Sequence, residues 1–355
     1  MTSVAAAIET FPELIGEAAP ERRPLWEYVR ASGLRSLVIC ASKVPNAKII
    51  VVLVSPATRR AVLAIKVPTT DAAARTIEAE GRVLVELDGL DPGLSETIPR
   101  VVDVVEWDGR PGIVMTAVQG LPMKTSYLRW RHTARPARVA ADFAAIESWL
   151  GELQRTTAGR PAPLEMDAGV TSRLAQRFSD DRELRDDLDR LGDIHARLRR
   201  NTVPRTAVHG DLWLGNVLLE RGRVSGIVDW EGGERSGEPV RDLVRFALMY
   251  ALFLDRRTAV GRRVPGHPVL RAGDWGGGVT YALDGAGWFP ELFRRFLQDG
   301  LARLGAAPAS WRDAALAGLA EVAALTDDDV FARLHLELFR RLASEPQRGA
   351  ARGDA

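Results

Sequence analysis

Short runs of aliphatic and β-branched residues crowd into the first third of the chain and then stop. Leu37 to Cys40, Lys48 to Val54 and Ala61 to Val67 are rich in Val, Ile and Leu. The pieces between them, Ser42-Lys43-Val44-Pro45-Asn46 and Ser55-Pro56-Ala57-Thr58, are turn-prone. Runs this short, closed by such residues, predict an antiparallel meander. Asp71 to Leu87 then carries Ile77, Val83, Leu84 and Leu87 at helical spacing, which predicts one helix ended by Asp91-Pro92-Gly93. Two further strands are predicted at Arg100 to Trp107 and Gly112 to Val118, with Asp108-Gly109-Arg110 as the turn between them.

After Gly120 the pattern becomes helical. Long periodic segments run over Val139 to Arg155, Ser172 to Arg200, Pro239 to Phe253, Pro290 to Leu304, Trp311 to Leu325 and Asp328 to Leu342. Two short β-like runs interrupt them, Ala207-Val208 and Gly226-Ile227-Val228. Strands first and helices afterwards predict an α+β chain in two lobes, with a hinge near Val118 to Pro122. The expected partition is a helical extension over 1–35, a small sheet lobe over 36–119, a mainly helical lobe over 120–343 and a disordered tail over 344–355. Asp255 to Trp288 stands apart. It holds Arg256, Arg257, Arg262, Arg263 and Arg271 with Gly276-Gly277-Gly278, and reads as a lid or a flexible surface insertion.

Composition narrows the function classes. Lys plus Arg is 48 against 47 for Asp plus Glu, so the net charge of +1 gives no whole-chain footprint for nucleic acid. No stretch reaches the roughly 18 uninterrupted apolar residues of a membrane span. Cys40 is the single cysteine, so no intramolecular disulfide forms, which suits a reducing cytosol. The thiol sits in an apolar run and is expected to be structural. The start, Met1-Thr2-Ser3-Val4 followed by Glu9, Glu13 and Glu17, lacks the basic and apolar blocks of a secretion signal. The expectation is a cytoplasmic protein. Nothing in the sequence sets its oligomeric state.

The sharpest local feature is His209-Gly210-Asp211-Leu212-Trp213-Leu214-Gly215-Asn216, followed by Ile227-Val228-Asp229-Trp230-Glu231. An Asp and an Asn five positions apart fit one tight loop, and a second Asp, 18 residues after the first, closes a short apolar run. Phosphoryl transfer from a nucleotide needs this set. One carboxylate orients the acceptor hydroxyl and takes its proton, while an amide oxygen and the other carboxylate hold Mg²⁺ against the phosphates. Asp and Asn alone would be ordinary turn residues. The spacing, the flanking apolar runs and an upstream Lys favour function.

This string resembles the aminoglycoside phosphotransferase family, which includes choline kinase-like and fructosamine kinase-like enzymes. The resemblance implies a two-lobed protein-kinase-like fold. His-Gly-Asp, where protein kinases usually carry His-Arg-Asp, resembles the small-molecule branch. It further implies Asp211 as catalytic base, Asn216 and Asp229 as Mg²⁺ ligands, and His209 as a brace of the loop. Trp213 packs the loop or walls the acceptor, and Glu231 is a weaker candidate beside the metal Asp. Asp242, in Gly237-Glu238-Pro239-x-x-Asp242, is expected to cap or brace a helix. Ala64-Ile65-Lys66-Val67 resembles the kinase strand whose Lys reaches the α and β phosphates. Glu80 is its expected partner, with Glu78 as the alternative. Met115 to Gly120 resembles the hinge that bonds the base.

One departure stands out. The phosphate-covering loop, Ser42 to Ala47, contains no Gly. Ser42 and Asn46 match positions where the family often places Ser and Asn, and Lys43 adds a point charge. The expected enzyme uses ATP or GTP with Mg²⁺ to phosphorylate a hydroxyl of a small-molecule acceptor. The alternatives are a nucleotide-binding pseudokinase without turnover, and nucleotidyl transfer or protein phosphorylation. The acceptor itself has conflicting signals. Asp327, Asp328, Asp329 and Glu337 suit a polycation, and the Arg-rich 255–288 segment suits an anionic or neutral molecule.

Overall fold

A computed structural model of the protein describes residues 29–40, 45–166 and 169–344. Ser42 and Lys43 lie outside these described residues, as do most of the N-terminal extension and of the C-terminal tail. The chain divides into two compact units. One takes residues up to Pro122 together with His209–Asp211 and Gly215–Arg235. The other takes Met123–Val208, Leu212–Leu214 and the chain from Ser236. Among the described residues no helix is long and apolar enough to cross a membrane.

In the first unit, β1 (Arg35–Cys40), β2 (Lys48–Val54), β3 (Ala61–Pro68), β4 (Val101–Trp107) and β5 (Arg110–Thr116) form one antiparallel sheet in the order β1-β2-β3-β5-β4. Side chains alternate across it. Leu53, Leu63, Val102 and Val114 pack on one face with Val51 and Ile65. Lys66, opposite Ile50 on β2 and Ile113 on β5, therefore points to the other.

Helix α1 (Asp71–Glu86) follows β3 directly. Thr70 caps it by accepting the Ala73 N–H at 3.1 Å, which satisfies one donor the first turn leaves orphaned. Ile77, Val83 and Leu84 are buried, and so is Glu80. A charge is carried into this apolar stripe, which requires a partner.

Strand β5 begins at Arg110 and ends at Thr116, two residues earlier at each end than the sequence pattern predicts. The reason is the turn. Asp108 and Gly109 both take positive φ, 51° and 70°, the geometry of a two-residue hairpin, so Trp107 pairs with Arg110. A second sheet, in the order β8-β7-β6, is built from β6 (Leu121–Pro122), β7 (Val217–Glu220) and β8 (Arg223–Ile227).

The second unit is helical: α2 (Pro136–Thr157), α3 (Val170–Arg177), α4 (Leu184–Leu198), α5 (Val240–Leu252), α6 (Gly277–Asp284), α7 (Trp288–Arg303), α8 (Trp311–Leu325) and α9 (Asp329–Ser344). Phe143, Phe246, Tyr250, Phe289 and Phe296 form its aromatic centre, with Phe143 edge-on to Phe296 at 5.0 Å. The single helix predicted over 172–200 is two helices. Asp181 accepts the Glu183 N–H through its carboxylate, and such side-chain competition breaks a helix the apolar period alone would continue. The 255–288 segment is a folded piece, holding a hairpin, β9 (Arg263–Val264) with β10 (His267–Arg271), and helix α6. His267, Leu270, Val279 and Leu283 are buried in it.

Candidate active site

Lys66 is the centre of the arrangement. Its ammonium donates to both carboxylate oxygens of Glu80, at 2.7 and 2.6 Å, and to Asp229 Oδ1 at 2.8 Å. Lys66 is 5% exposed and Glu80 is fully buried. Burial alone would lower the lysine's pKa, but the carboxylates of Glu80 and Asp229 outweigh it and hold the ammonium above its ordinary value. Glu80 also accepts the Trp230 backbone N–H at 3.1 Å. One glutamate thus ties the strand lysine to the residue that follows Asp229. The expected partner of Lys66 is the one found.

The residues of the 209–216 loop converge on the same place. Asn216 is buried, and its Nδ2 donates to the Asp211 carbonyl at 3.0 Å and to Asp211 Oδ2 at 3.4 Å. Its own carbonyl accepts the Val228 N–H at 3.0 Å, which joins the loop to the segment that carries Asp229. His209 is buried, stacks edge-on against Trp230 and contacts the Val228 carbonyl through Nε2 at 2.9 Å. Its Nδ1 accepts the Asp211 N–H at 3.2 Å, so the ring is the Nε2–H tautomer. Both of its nitrogens bond backbone, as a brace does.

Gly210 has φ +82°, and a Cβ there would be driven into the Gly232 carbonyl. That is the physical reason a glycine separates His209 from Asp211 here. Asp229 also has a left-handed backbone, φ 73° and ψ 58°. A non-glycine residue pays about 1–2 kcal/mol for that region. Burial pushes the Asp229 carboxyl up, but the ammonium groups of Lys66 and Lys48 outweigh it and hold the group well below the usual carboxylate range. Glu231 shifts the other way, raised by burial and by the Asp229 charge against the opposing pull of Lys48.

Lys48 is the residue that sequence reading missed. It opens β2, is 6% exposed, and places Nζ 3.3 Å from Asp229 Oδ1 and in contact with the Glu231 carboxylate. A signal was present. In the β2–β3 register Ile50 faces Lys66 and Lys48 faces Pro68, so Lys48 and Lys66 share a face of the hairpin. Asn46 lies in the turn just before β2, where the Thr69 hydroxyl bonds the Ala47 carbonyl at 2.6 Å and the Thr70 hydroxyl bonds that of Pro45.

In the hinge segment the Ala117 N–H bonds the Val62 carbonyl, and Gln119 Nε2 bonds the Ala61 and Ala117 carbonyls. A separate cleft of about 880 Å³ in the same unit is lined by Leu87, Arg100, Val118 and Ser225, away from Lys66 and Asp229. In the helical unit Trp213 packs beside Phe253, with Lys124 Nζ 5.2 Å from its ring centre, and Asp242 is buried in the first turn of α5.

Among the described residues no group of three or more His, Cys, Asp and Glu is placed to hold a metal ion. The oxygen donors at hand are the Asp229 carboxylate, kept ionised, and the Asn216 amide oxygen. One carboxylate and one amide suit Mg²⁺, which keeps waters and takes its other ligands from phosphate.

Comparison with known proteins places the chain by family and by fold. Residues 50–272 match the model of the APH phosphotransferase enzyme family. No curated protein matches the chain. Among solved structures, a thermostable mutant of aminoglycoside phosphotransferase APH(4)-Ia is 12% identical, with a TM-score of 0.53 over 89% of this chain and 97% of that one. The same enzyme in ternary complex with AMP-PNP and hygromycin B is 13% identical, with a TM-score of 0.53 over 88% and 93%. The streptomycin–ATP–APH(2")-IIa complex is 14% identical, with a TM-score of 0.50 over 91% and 97%. At such identities the likeness establishes the fold, that of the protein-kinase-like aminoglycoside phosphotransferases. The family itself rests on the sequence model, and by that match the chain belongs to the phosphotransferase enzyme family.

Proposed function

We propose that the protein transfers the γ-phosphoryl group of ATP or GTP, with Mg²⁺, to a hydroxyl of a small-molecule acceptor. The observation that carries this reading is the buried Lys66, held between Glu80 and Asp229. Glu80 fixes this ammonium in place, and giving up its Asp229 contact would turn the third N–H to phosphate oxygens. Asn216 and Asp229 would hold the Mg²⁺, which when bound neutralises charge on the phosphates. Lys66 would orient the α and β phosphates, and Asp211 would accept the acceptor's hydroxyl proton. His209 and Glu80 would position these groups through the backbone bonds they make. Asn46 would lie under the phosphates as part of the covering loop.

Two of the neighbours named above are ternary complexes, one with AMP-PNP and hygromycin B and one with ATP and streptomycin. Hygromycin B and streptomycin are polyhydroxylated, which supports a polar, hydroxyl-bearing acceptor for this chain. The test is a panel of such acceptors incubated with the purified protein, Mg²⁺ and ATP or GTP, read by mass. The expected result is a gain of one phosphate on an acceptor, absent in Asp211→Ala. Full activity in Asp211→Ala, or a nucleotidyl-sized mass gain, would overturn the reading.

A further inference from the structure

We propose that Lys48 is a second phosphate-binding cation, stored on Asp229 and Glu231 until the phosphates of a nucleotide take it over. The proposal rests on the nucleotide-dependent reading above and adds a residue to it.

Three observations meet at this side chain. The first is position. Lys48 opens β2 on the hairpin face that carries Lys66, directly after the loop expected to cover the phosphates. Two residues of register separate the pairs these lysines make, about 7 Å along the strand. Both ammonium groups still reach Asp229 Oδ1, Lys66 at 2.8 Å and Lys48 at 3.3 Å, so the two cations converge where one oxyanion already sits.

The second is the difference between the two lysines. Lys66 is locked, with two bonds to the fully buried Glu80. Lys48 has no such permanent partner. Its contacts are Asp229 and Glu231, the carboxylate proposed to hold the metal and the one two residues beyond it. A divalent cation held by Asp229 would repel both ammonium groups on its Oδ1, Lys66 at 2.8 Å and Lys48 at 3.3 Å. Lys66 would then keep its two bonds to the buried Glu80, whereas Lys48 would be left with Glu231 alone, so Lys48 is the cation able to move. Its flexible four-carbon stem allows the move, and a buried ammonium needs a new anion. The phosphates supply it.

The third is the loop itself. Ser42 to Ala47 has no glycine, and Pro45 has no N–H to offer. The Pro45 and Ala47 carbonyls are tied to Thr70 and Thr69. Pro45 offers no N–H to phosphate oxygens, and Lys48, three residues on, is among the described residues the cation that follows it in the chain.

The test uses the full chain and measures equilibrium affinity by calorimetry, with Mg²⁺, for ATP and for adenosine. A hydrogen-bonded ion contact corresponds to about a ten- to hundredfold change in affinity. The expected result for Lys48→Met is an ATP affinity lower by about that factor with adenosine affinity unchanged, and Lys48→Arg recovers most of the loss. Glu231→Gln, which removes a resting partner and spares Lys48, should leave ATP affinity equal or tighter. Thermal melts of all three establish that they are folded. Unchanged or tighter ATP binding by folded Lys48→Met would overturn the proposal and make Lys48 a plain counter-ion, while leaving the kinase reading intact. Equal loss of ATP and adenosine would overturn it in favour of a structural role. A wild-type chain that binds no nucleotide overturns both this proposal and the reading it rests on.

Discussion

Lys66 and Glu80 face each other through two short contacts, 2.7 and 2.6 Å, inside a region where the glutamate has no solvent exposure. The pair also reaches the segment that carries Asp229, because Glu80 accepts the Trp230 N–H. Removing one member of a buried pair strands the other charge, at a cost of about 3–5 kcal/mol. Glu80→Ala should lose about that much in urea denaturation, while Glu80→Gln, which retains an acceptor for Trp230, should lose less. Both should raise the KM for nucleotide. A Glu80→Ala protein of wild-type stability would show that the pair is not the clamp of this unit.

Asp211 and Asp229 should separate in kinetics. Asp211 is reached by the Asn216 amide and lies outside the lysine cluster. A positioned base contributes about 10²–10⁴ in rate. Asp211→Asn should therefore lower kcat by that order and leave nucleotide affinity near wild type. Asp229→Asn removes the carboxylate that both lysines contact. It should abolish turnover and weaken Mg²⁺-dependent nucleotide binding, as measured by calorimetry with and without the metal.

Much of this site was legible because its residues sit in short, local patterns. Lys66 and Glu80 are 14 residues apart on a strand and the helix after it. Periodicity alone places them on facing sides of one turn. Lys48 was not legible in the same way. Its partners are 181 and 183 residues away, and a lysine at a strand's first position reads as solvated until the hairpin register is known. The break at Asp181 hid for the opposite reason, since apolar spacing runs through it and only a side-chain bond to backbone interrupts the helix. The 255–288 segment looked irregular because its hairpin depends on burying His267 and Leu270, which its charged and glycine-rich sequence does not advertise.

Two glycines of similar backbone allow a controlled comparison. Gly210 has φ +82° and Gly222 has φ +79°, but a Cβ at Gly210 meets the Gly232 carbonyl, whereas one at Gly222 meets nothing within 4 Å. Backbone strain alone costs Gly222→Ala about 1–2 kcal/mol. Gly210→Ala adds a backbone collision beside Asp211. It should be destabilised by clearly more than Gly222→Ala in parallel denaturation and should lose turnover, while Gly222→Ala keeps it. Equal effects at the two positions would place the cause in φ and not in the contact.

His335 on α9 gives the helical unit an acid sensitivity of its own. The ring is buried, edge-on to Trp275 and Phe331, and its Nδ1 donates to the Phe331 carbonyl at 2.8 Å. Burial lowers its pKa from 6.5 to about 4; the Phe331 bond opposes that shift and the Arg245 guanidinium adds to it. The unfolded chain therefore takes up a proton between pH 6.5 and 4 that the folded chain refuses. A ligand that binds only the unfolded state destabilises the folded one, so stability falls as pH drops through that window and is unaffected above it. The loss attributable to this ring is about 2 kcal/mol at pH 5 relative to pH 7.5. His335→Gln, which keeps a donor for Phe331, carries no titrating group. Denaturation free energies of both proteins at the two pH values should differ by about that amount in their pH dependence. If the wild-type and His335→Gln curves are parallel, the ring is protonated in the folded state and its burial does not exclude the charge.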